Sequence, residues 1–250
     1  MRGHSLLIFF FLFLLACASC SVKEDRDECP CTLSLYTSEA QGKCVSVDVW
    51  NSEGVRVAAG ETDGTLLELE VPRGLLKVTA YSGLKSCNLF GEVVSIPGGM
   101  QMDELYSWRG DADCKGEHES LILFLHKQWA TVNMRIQNLP AGDYFSAVRI
   151  EGDVSGYNLS SGLPVGGTFS FMPSLSPDGN VVFRLPRQGE GELLLGIGQK
   201  ELLIGDIIAR SGYDWGDDDL DDIYILVDYL KSTVKISISD WSEVSYEENF

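Results

Sequence analysis

Two neighbouring stretches, Leu66-Leu-Glu-Leu-Glu-Val71 and Leu75-Leu-Lys-Val-Thr-Ala-Tyr81, alternate apolar and polar side chains with a period of two. Successive side chains of a β-strand point to opposite faces of a sheet, so this alternation predicts strands with one buried face. Runs of the same kind lie at residues 32–36, 44–50 and 55–58. Short alternating strands spaced about ten residues apart are typical of a β-sandwich.

The same alternation continues along the second half of the chain, at residues 145–150, 168–172, 181–185, 193–197, 223–227 and 234–238. The sequence therefore predicts an all-β protein with two domains in tandem. We place the boundary where alternation resumes after a looser region, which gives domains at 20–127 and 128–250. One apolar segment, Leu202-Leu-Ile-Gly-Asp-Ile-Ile208, has no clear period, and a fully buried strand is one interpretation of it.

The N-terminus has the layout of a secretory leader. Arg2 provides a basic start, residues 6–16 form an apolar run, and small residues precede Cys17 and Cys20. A membrane-spanning helix needs about 20 apolar residues, so this run is too short to span a bilayer. Small residues before a cysteine are typical of bacterial lipoproteins, in which the thiol is acylated. Cys17 and Cys20 compete for this role, and the spacing of the preceding residues favours Cys17.

The charge of the chain excludes one class of partner. It carries 37 acidic and 19 basic residues, which gives a net charge of −18 at pH 7. Nucleic-acid binding needs a basic face, so nucleic acid is not expected as a partner. Adhesion to an anionic membrane through surface charge is not expected either, for the same reason. Acidity of this size keeps an exposed protein soluble.

Residue types for catalysis or metal binding are not arranged in a recognisable site. Beyond the leader only His118 and His126 are present, and neither adjoins a nucleophile motif. Glycine-rich phosphate loops and zinc-ligand spacings are absent from the sequence. The acidic stretch at residues 214–222 departs from a calcium loop, because Asp222 stands where glycine is required, and it is interpreted as a solvated loop. We therefore expect a binding or structural module that is not an enzyme and has no metal or cofactor.

Cysteine content indicates an oxidising compartment. If Cys20 carries the lipid, an odd number of cysteines remains in the mature chain, and the sequence does not choose among their possible pairings. These cysteines are Cys29, Cys31, Cys44, Cys87 and Cys114.

Several motifs in a consistent order resemble the FimB/Mfa-type fimbrial anchor lipoproteins of the Bacteroidota. They are Cys20-Ser-Val-Lys-Glu-Asp-Arg-Asp-Glu-Cys-Pro30, Ala80-Tyr-Ser-Gly83, Lys127-Gln-Trp-Ala-Thr-Val-Asn-Met-Arg-Ile136, Gly166-Gly-Thr-Phe-Ser-Phe171 and Leu185-Pro-Arg-Gln188. The resemblance is spread over nearly the whole mature chain, and it is the order and spacing of the motifs that make it specific.

The resemblance implies two transthyretin-like, Greek-key β-sandwich domains and a lipid anchor in the outer membrane. It implies a role at the base of a cell-surface fimbria, with fimbrial shaft subunits as partners. It also places the lipid on Cys20, so that residues 1–19 are the signal peptide. Lys23, Glu24 and Asp25 resemble the signal that sends such lipoproteins to the outer face of the membrane.

Subunits of such fibres are expected, by the same resemblance, to join by β-strand exchange. An anchor that lost its first strand would also lose its lipid, so it should keep that strand and donate one from its other end. Val234, Ile236 and Ile238 alternate along a candidate donor strand, although an ordinary last strand of the second sandwich has the same pattern. The alternative function is a surface glycan-binding lipoprotein, which should expose several Trp or Tyr rings on one face.

Overall fold

The computed structural model describes residues 29–37, 43–140, 147–189, 192–238 and 246–249, the last of these as backbone only. This part of the chain is nearly all β, which confirms the predicted fold class. The strands are β1 (Cys31–Thr37), β2 (Val45–Trp50), β3 (Arg56–Thr62), β4 (Leu66–Val71), β5 (Leu75–Ser82), β6 (Asn88–Phe90), β7 (Val93–Ser95), β8 (Tyr106–Asp113), β9 (His118–Leu123), β10 (His126–Lys127), β11 (Trp129–Gln137), β12 (Val148–Asn158), β13 (Pro164–Phe171), β14 (Asn180–Pro186), β15 (Leu193–Ile197), β16 (Lys200–Leu203), β17 (Ile223–Asp228), β18 (Thr233–Ile238) and β19 (Tyr246–Asn249). A short helix, α1 (Ile204–Arg210), follows β16.

The first sandwich packs a three-stranded sheet, ordered β4-β1-β9, against a five-stranded sheet, ordered β10-β8-β5-β2-β3. Their inward side chains form one apolar core, in which Leu33 and Leu123 of the first sheet meet Val47 and Val78 of the second. All four side chains are fully buried or nearly so. The alternation read from the sequence is therefore the inward and outward alternation of a sandwich.

The second sandwich packs the sheet β14-β11-β17-β18-β19 against the sheet β16-β15-β12-β7-β6. Strand β12 pairs with β15 and β7 along one edge and with β13 along the other. The core between these sheets is larger and contains Ile150, Phe183, Leu195 and Ile225, each at most 1% exposed.

Residues 88–105 leave the first sandwich and become part of the second. Strand β7 pairs with β12, and Val94, Ile96, Met102 and Leu105 lie in the second core. The predicted boundary after residue 127 assigns this segment to the first domain instead. Strands β6 and β7 have three residues each. Runs so short carry no readable alternation, so the crossing could not be predicted from the local pattern.

The apolar segment after Lys200 is a strand followed by a helix, and not one buried strand. Strand β16 ends at Leu203, and Ile204, Ile207 and Ile208 then bury one face of α1. Their spacing is that of successive helical turns. Gly212, with a φ of 86°, follows the end of the helix. No helix in the described part of the chain is long and apolar enough to cross a membrane.

Candidate functional site

The predicted lipid-attachment and export residues lie outside the described residues. These are Cys17, Cys20, Lys23, Glu24 and Asp25. The described chain begins at Cys29, two residues before β1, so the predicted tether enters the fold at this strand. The environment of β1 is therefore the first feature of the candidate site.

Strand β1 is hydrogen-bonded along both of its edges. It runs antiparallel to β4, with Cys31 opposite Val71, and parallel to β9, with Thr32 opposite His118. The main-chain N–H of Thr37 donates to the Thr65 carbonyl at 3.0 Å. The Thr37 hydroxyl donates to the carbonyl of Gly64 at 2.7 Å. A central strand held in this way would leave an open groove between β4 and β9 if it were removed.

The inward side chains of β1 are part of the first core. Cys31, Leu33 and Leu35 have no exposed surface, and Thr37 is 1% exposed. Burial of one leucine side chain is worth about 1.5–3 kcal/mol, so β1 contributes a substantial part of the free energy of this small core. Any strand that replaced β1 would need apolar side chains at alternate positions.

The candidate donor strand is β18, and it lies inside the second sandwich. It pairs with β17 on one edge and with β19 on the other. Val234 and Ile236 have no exposed surface, and Ile238 packs against the same core while partly exposed. The alternation of these residues is thus explained if β18 is an ordinary strand of the second sandwich. Strand β19 forms the edge of the sheet beyond β18.

The structure does not bring β1 and β18 together, because they belong to different sheets in different cores. Strand β1 lies beside the predicted tether, whereas β18 and β19 close the sheet at the C-terminal end of the described chain. The predicted membrane tether and the candidate donor strand are thus located at separate elements of the fold.

The acidic loop folds back onto the segment that joins the two sandwiches. Asp219 accepts the main-chain N–H of Lys127 at 2.6 Å, and its other oxygen lies 3.0 Å from Nδ1 of His126. Oδ1 of Asp222 accepts hydrogen bonds from Nζ of Lys127 at 2.6 Å and from the main-chain N–H of Thr131 at 3.3 Å. Burial acts to raise the pKa of Asp219, but hydrogen bonds from His126 and Lys127 outweigh it and lower that pKa. These carboxylates are engaged with the connecting segment, and no group of three metal-ligand side chains occurs among the described residues.

Arg187 holds the other side of the acidic loop. It is 7% exposed, and its Nε donates to Oε1 of Gln128 at 3.1 Å. Its terminal nitrogens donate to the carbonyls of Trp215, Asp217 and Asp218. A guanidinium that satisfies several carbonyls in a fixed fork is well suited to fix a loop in one position.

A groove of about 630 Å³ lies beside this loop, between the two sandwiches. The aromatic side chains on its walls are Trp108, Tyr157 and Trp215. Gln188 also lines it and donates from Nε2 to the Pro186 carbonyl at 2.8 Å, while its buried Oε1 has no hydrogen-bond partner among the described residues. Trp108 and Trp215 are half-buried, whereas Tyr157 is almost fully buried. Aromatic side chains with a few polar groups are typical of ligand-binding pockets.

Asp103 fixes the start of the segment that crosses into the second core. Its carboxylate is nearly fully buried, at 4% residue exposure, and Oδ2 accepts the N–H groups of Lys85, Ser86 and Cys87 at 2.7 Å each. Burial acts to raise the pKa of Asp103, but the three donors outweigh it, and the net pKa is lowered.

We expect Asp103→Asn to lower the free energy of unfolding by about 2–3 kcal/mol at pH 7, because hydrogen bonds to a charged acceptor are lost. A lowered folded-state pKa stabilises the protein above the unfolded value of about 4, and this contribution disappears as the pH falls through the folded pKa. The difference between the two proteins should therefore shrink below about pH 4. Urea unfolding at several pH values measures it. Asp153→Asn, at an exposed position, is the matched control. If the free energies of unfolding of the wild type and Asp103→Asn differ as much at low pH as at pH 7, the proposed role of the Asp103 carboxylate is contradicted.

Sequence reasoning missed the crossing segment, the groove and the relation between two buried cysteines. For the cysteines a signal existed: Cys31 continues the inward alternation of Leu33 and Leu35, and Cys114 continues that of Ala112. Both side chains were thus predictable as inward-facing. Their proximity depends on the turn between β4 and β5, which no local pattern specifies.

Known structures share this fold, although the sequence itself matches no protein-family model and no curated protein. The fimbrial anchor protein Mfa2 of Porphyromonas gingivalis is similar over 87% of this chain and 100% of its own, with 14% identity and a TM-score of 0.60. A protein of Bacteroides ovatus described as a candidate adhesin covers 88% of this chain and 96% of its own, with 14% identity and a TM-score of 0.61.

A third structure, described as a candidate polysaccharide-binding protein of Bacteroides thetaiotaomicron, covers 88% of this chain and 98% of its own. It is 13% identical and has a TM-score of 0.63. The chain thus has a fold that is also found in a fimbrial anchor and in proteins described as adhesins of the Bacteroidota, which agrees with the resemblance read from its motifs.

Proposed function

We propose that this chain is a lipid-anchored subunit of a cell-surface fimbria and that it serves at the fimbrial base. The carrying observation is the position of β1, which begins 11 residues after the predicted lipid cysteine in the sequence and is paired on both edges, with β4 and with β9. A base subunit must keep the strand that connects it to its lipid. The similarity of fold to Mfa2, described as a fimbrial anchor, supports the same role.

The proposed partners are fimbrial shaft subunits. A subunit that keeps β1 has no open groove at that position, so it can join a neighbour by strand exchange only as a donor. The C-terminal sheet edge is the candidate donor end, because β18 is followed by β19 at the open side of its sheet. Val234 and Ile236 serve the second core of this chain, so donation requires that β18 leave that core or that residues after it donate instead.

Co-purification from intact cells after mild crosslinking tests this function. Shaft-type subunits should be recovered with the full-length protein. A variant that ends at Ile238, and so lacks β19, should lose them while its folded fraction and lipid attachment are unchanged. Recovery of no fimbrial subunit with either protein would contradict the proposed role.

The lipid is proposed on Cys20. We expect that cells given a palmitate analogue will label the wild type and Cys17→Ala but not Cys20→Ala, because acylation requires the thiol that becomes the first mature residue. Gel fluorescence of the purified proteins measures the label. Label retained in Cys20→Ala and lost in Cys17→Ala would move the attachment site to Cys17.

Export to the outer face of the membrane is proposed to depend on Lys23, Glu24 and Asp25. A protease added to whole cells should digest the wild type, whereas the variant with all three residues replaced by Ala should be protected until the cells are lysed. Membrane fractionation shows whether both proteins are still anchored. Equal digestion of both would show that the signal lies elsewhere.

The groove between the sandwiches supports a second candidate function, the binding of a surface glycan. Trp108, Tyr157 and Trp215 line it, and a structure with a similar fold is described as a candidate polysaccharide-binding protein. Labelled polysaccharides should then bind the purified protein, and Trp108→Ala should weaken that binding severalfold. Without any binding to the wild type, this candidate is eliminated and the fimbrial role is unaffected.

We also propose that the chain is not an enzyme, and an activity that depended on His118 or His126 would contradict this.

A further inference from the structure

Two cysteines meet inside the first sandwich although they are far apart in sequence. Cys31 is the first residue of β1, and Cys114 follows the last residue of β8. Neither side chain has exposed surface, and both belong to the same core. The Cys31 thiol donates to the Thr32 carbonyl at 3.7 Å. Burial, together with the proximity of the Cys31 thiol, raises the pKa of Cys114 to about 12.

The backbone around the pair is fixed by one turn. Cys31 lies opposite Val71, the last residue of β4. Cys114 exchanges two hydrogen bonds with Gly74, its N–H donating to the Gly74 carbonyl at 2.8 Å and its carbonyl accepting the Gly74 N–H at 3.3 Å. The turn 72–74 links the two sheets, so the cysteines approach each other from one sheet each.

A third contact holds the strand start in the same place. The N–H of Thr32 donates to the Glu117 carbonyl at 2.8 Å, just beyond Cys114. The Arg73 side chain donates to the carbonyl of Cys29 at 2.8 Å. Both chain segments are thus positioned by bonds that do not involve the thiols. Of the other cysteines in the described chain, Cys29 and Cys44 are exposed and Cys87 is half-buried.

We propose that Cys31 and Cys114 form a disulfide in the exported protein, and that this bond locks β1 onto the first sandwich. It would connect the three-stranded sheet to the five-stranded sheet at the point where the predicted tether enters. The inference rests on the proposed function only in that the chain must reach an oxidising compartment. Strand β1 would then be held covalently as well as by its two ladders.

The chemistry is a thiol–disulfide exchange. One cysteine thiolate attacks the disulfide of an envelope thiol oxidoreductase, and the second thiolate then displaces that enzyme from the mixed disulfide. Two thiols lose two protons and two electrons, and the oxidoreductase disulfide is reduced to a dithiol. Because the thiolate is the reacting species and both thiols are buried once folded, the bond should form during folding.

Peptide mapping without reduction tests the bond in protein taken from the cell envelope. Trypsin places Cys114 alone in peptide 110–115, whereas Cys29 and Cys31 share peptide 27–43. A linked pair of these two peptides is expected, and it should persist in Cys29→Ser and be absent in Cys31→Ser. A link that is lost in Cys29→Ser, or free thiols in both peptides, would overturn the proposal.

A second experiment separates failure of the geometry from failure of the compartment. Purified protein is unfolded, reduced and refolded in a glutathione redox buffer, where the same link should form. If it does not form there, the pairing is wrong whatever the location of the protein. If it forms in the buffer but is absent from protein taken from the cell envelope, the native disulfide is refuted, whereas the proposed fimbrial role is unaffected and is decided by the co-purification.

The proposed disulfide should also raise the thermal stability of the protein. In the wild type, reduction during thermal unfolding should lower the midpoint by roughly 5–15 °C, as expected for a bond that closes a long loop. Cys31→Ala/Cys114→Ala should show the lower midpoint with or without reductant. Cys29→Ala/Cys44→Ala, which changes two exposed cysteines, should behave like the wild type. A wild-type midpoint that is insensitive to reductant would count against the lock.

Discussion

A chain that begins at Lys43, and therefore lacks β1, should lose the folded first sandwich and recover it when a peptide of residues 30–37 is added. Strand β1 contributes two fully buried leucines, Leu33 and Leu35. Truncation of one buried leucine costs about 2–5 kcal/mol, and a whole domain is stable by only about 5–15 kcal/mol. The loss of β1, with both of its hydrogen-bonded ladders, should thus exceed what this core can tolerate.

Near-ultraviolet circular dichroism and resistance to protease measure the recovery, and titration of the peptide measures its affinity. The matched control is the same peptide with Leu33→Asp and Leu35→Asp, which should restore nothing because its inward face is charged. If the shortened chain is folded without peptide, β1 is dispensable and the fold contains no groove for a strand. The expected recovery would show that the groove exists and is occupied by the chain itself.

Ile236→Asp should unfold the second sandwich. Ile236 has no exposed surface and lies in the middle of β18, between β17 and β19. The substitution removes a buried side chain and places a carboxylate in an apolar core, a change whose cost should exceed about 5 kcal/mol. Leu230→Asp, at a position that is 70% exposed just before β18, should change the free energy of unfolding by less than about 1 kcal/mol.

Urea unfolding of the two variants measures the contrast, with tryptophan fluorescence as the probe. A folded Ile236→Asp protein would mean that β18 can leave the core, which is what donation of this strand to a partner requires. If Ile236→Asp is unfolded, charged substitutions in β18 cannot test whether this strand is donated to a partner. Removal of β19 is then the informative change, since its backbone pairs with β18 alone.

The alternation of side chains was sufficient to predict many strands of both sandwiches, but not β6, β7 or β8, which lie in the region without a readable pattern. In β1, β2 and β5 every second residue faces a core and is apolar, except Thr37 and Ser82 at the ends of β1 and β5, so the local pattern and the tertiary structure largely agree. The segment around α1 was less readable, since Ile204, Ile207 and Ile208 fit a helix face only once β16 is known to end at Leu203. Short apolar runs are ambiguous between buried strand and helix for this reason.

The features that depend on distant contacts were not predictable. The groove needs Trp108 of the first sandwich and Tyr157 of the second to face the same space. Asp103 is one of 37 acidic residues in the sequence, and only the three N–H groups that converge on it distinguish it from the others. A single sequence contains no local signal for either arrangement.

The crossing segment at residues 88–105 bears on how the two sandwiches can move. The chain passes from one core to the other after β5, returns between Leu105 and β8, and passes again after β10. The second and third passages are tied together, because the N–H of Gln128 donates to the Leu105 carbonyl at 2.9 Å. A single linker permits hinge bending, which is the default between domains. Three passages leave no single hinge, so the two sandwiches should move as one rigid body.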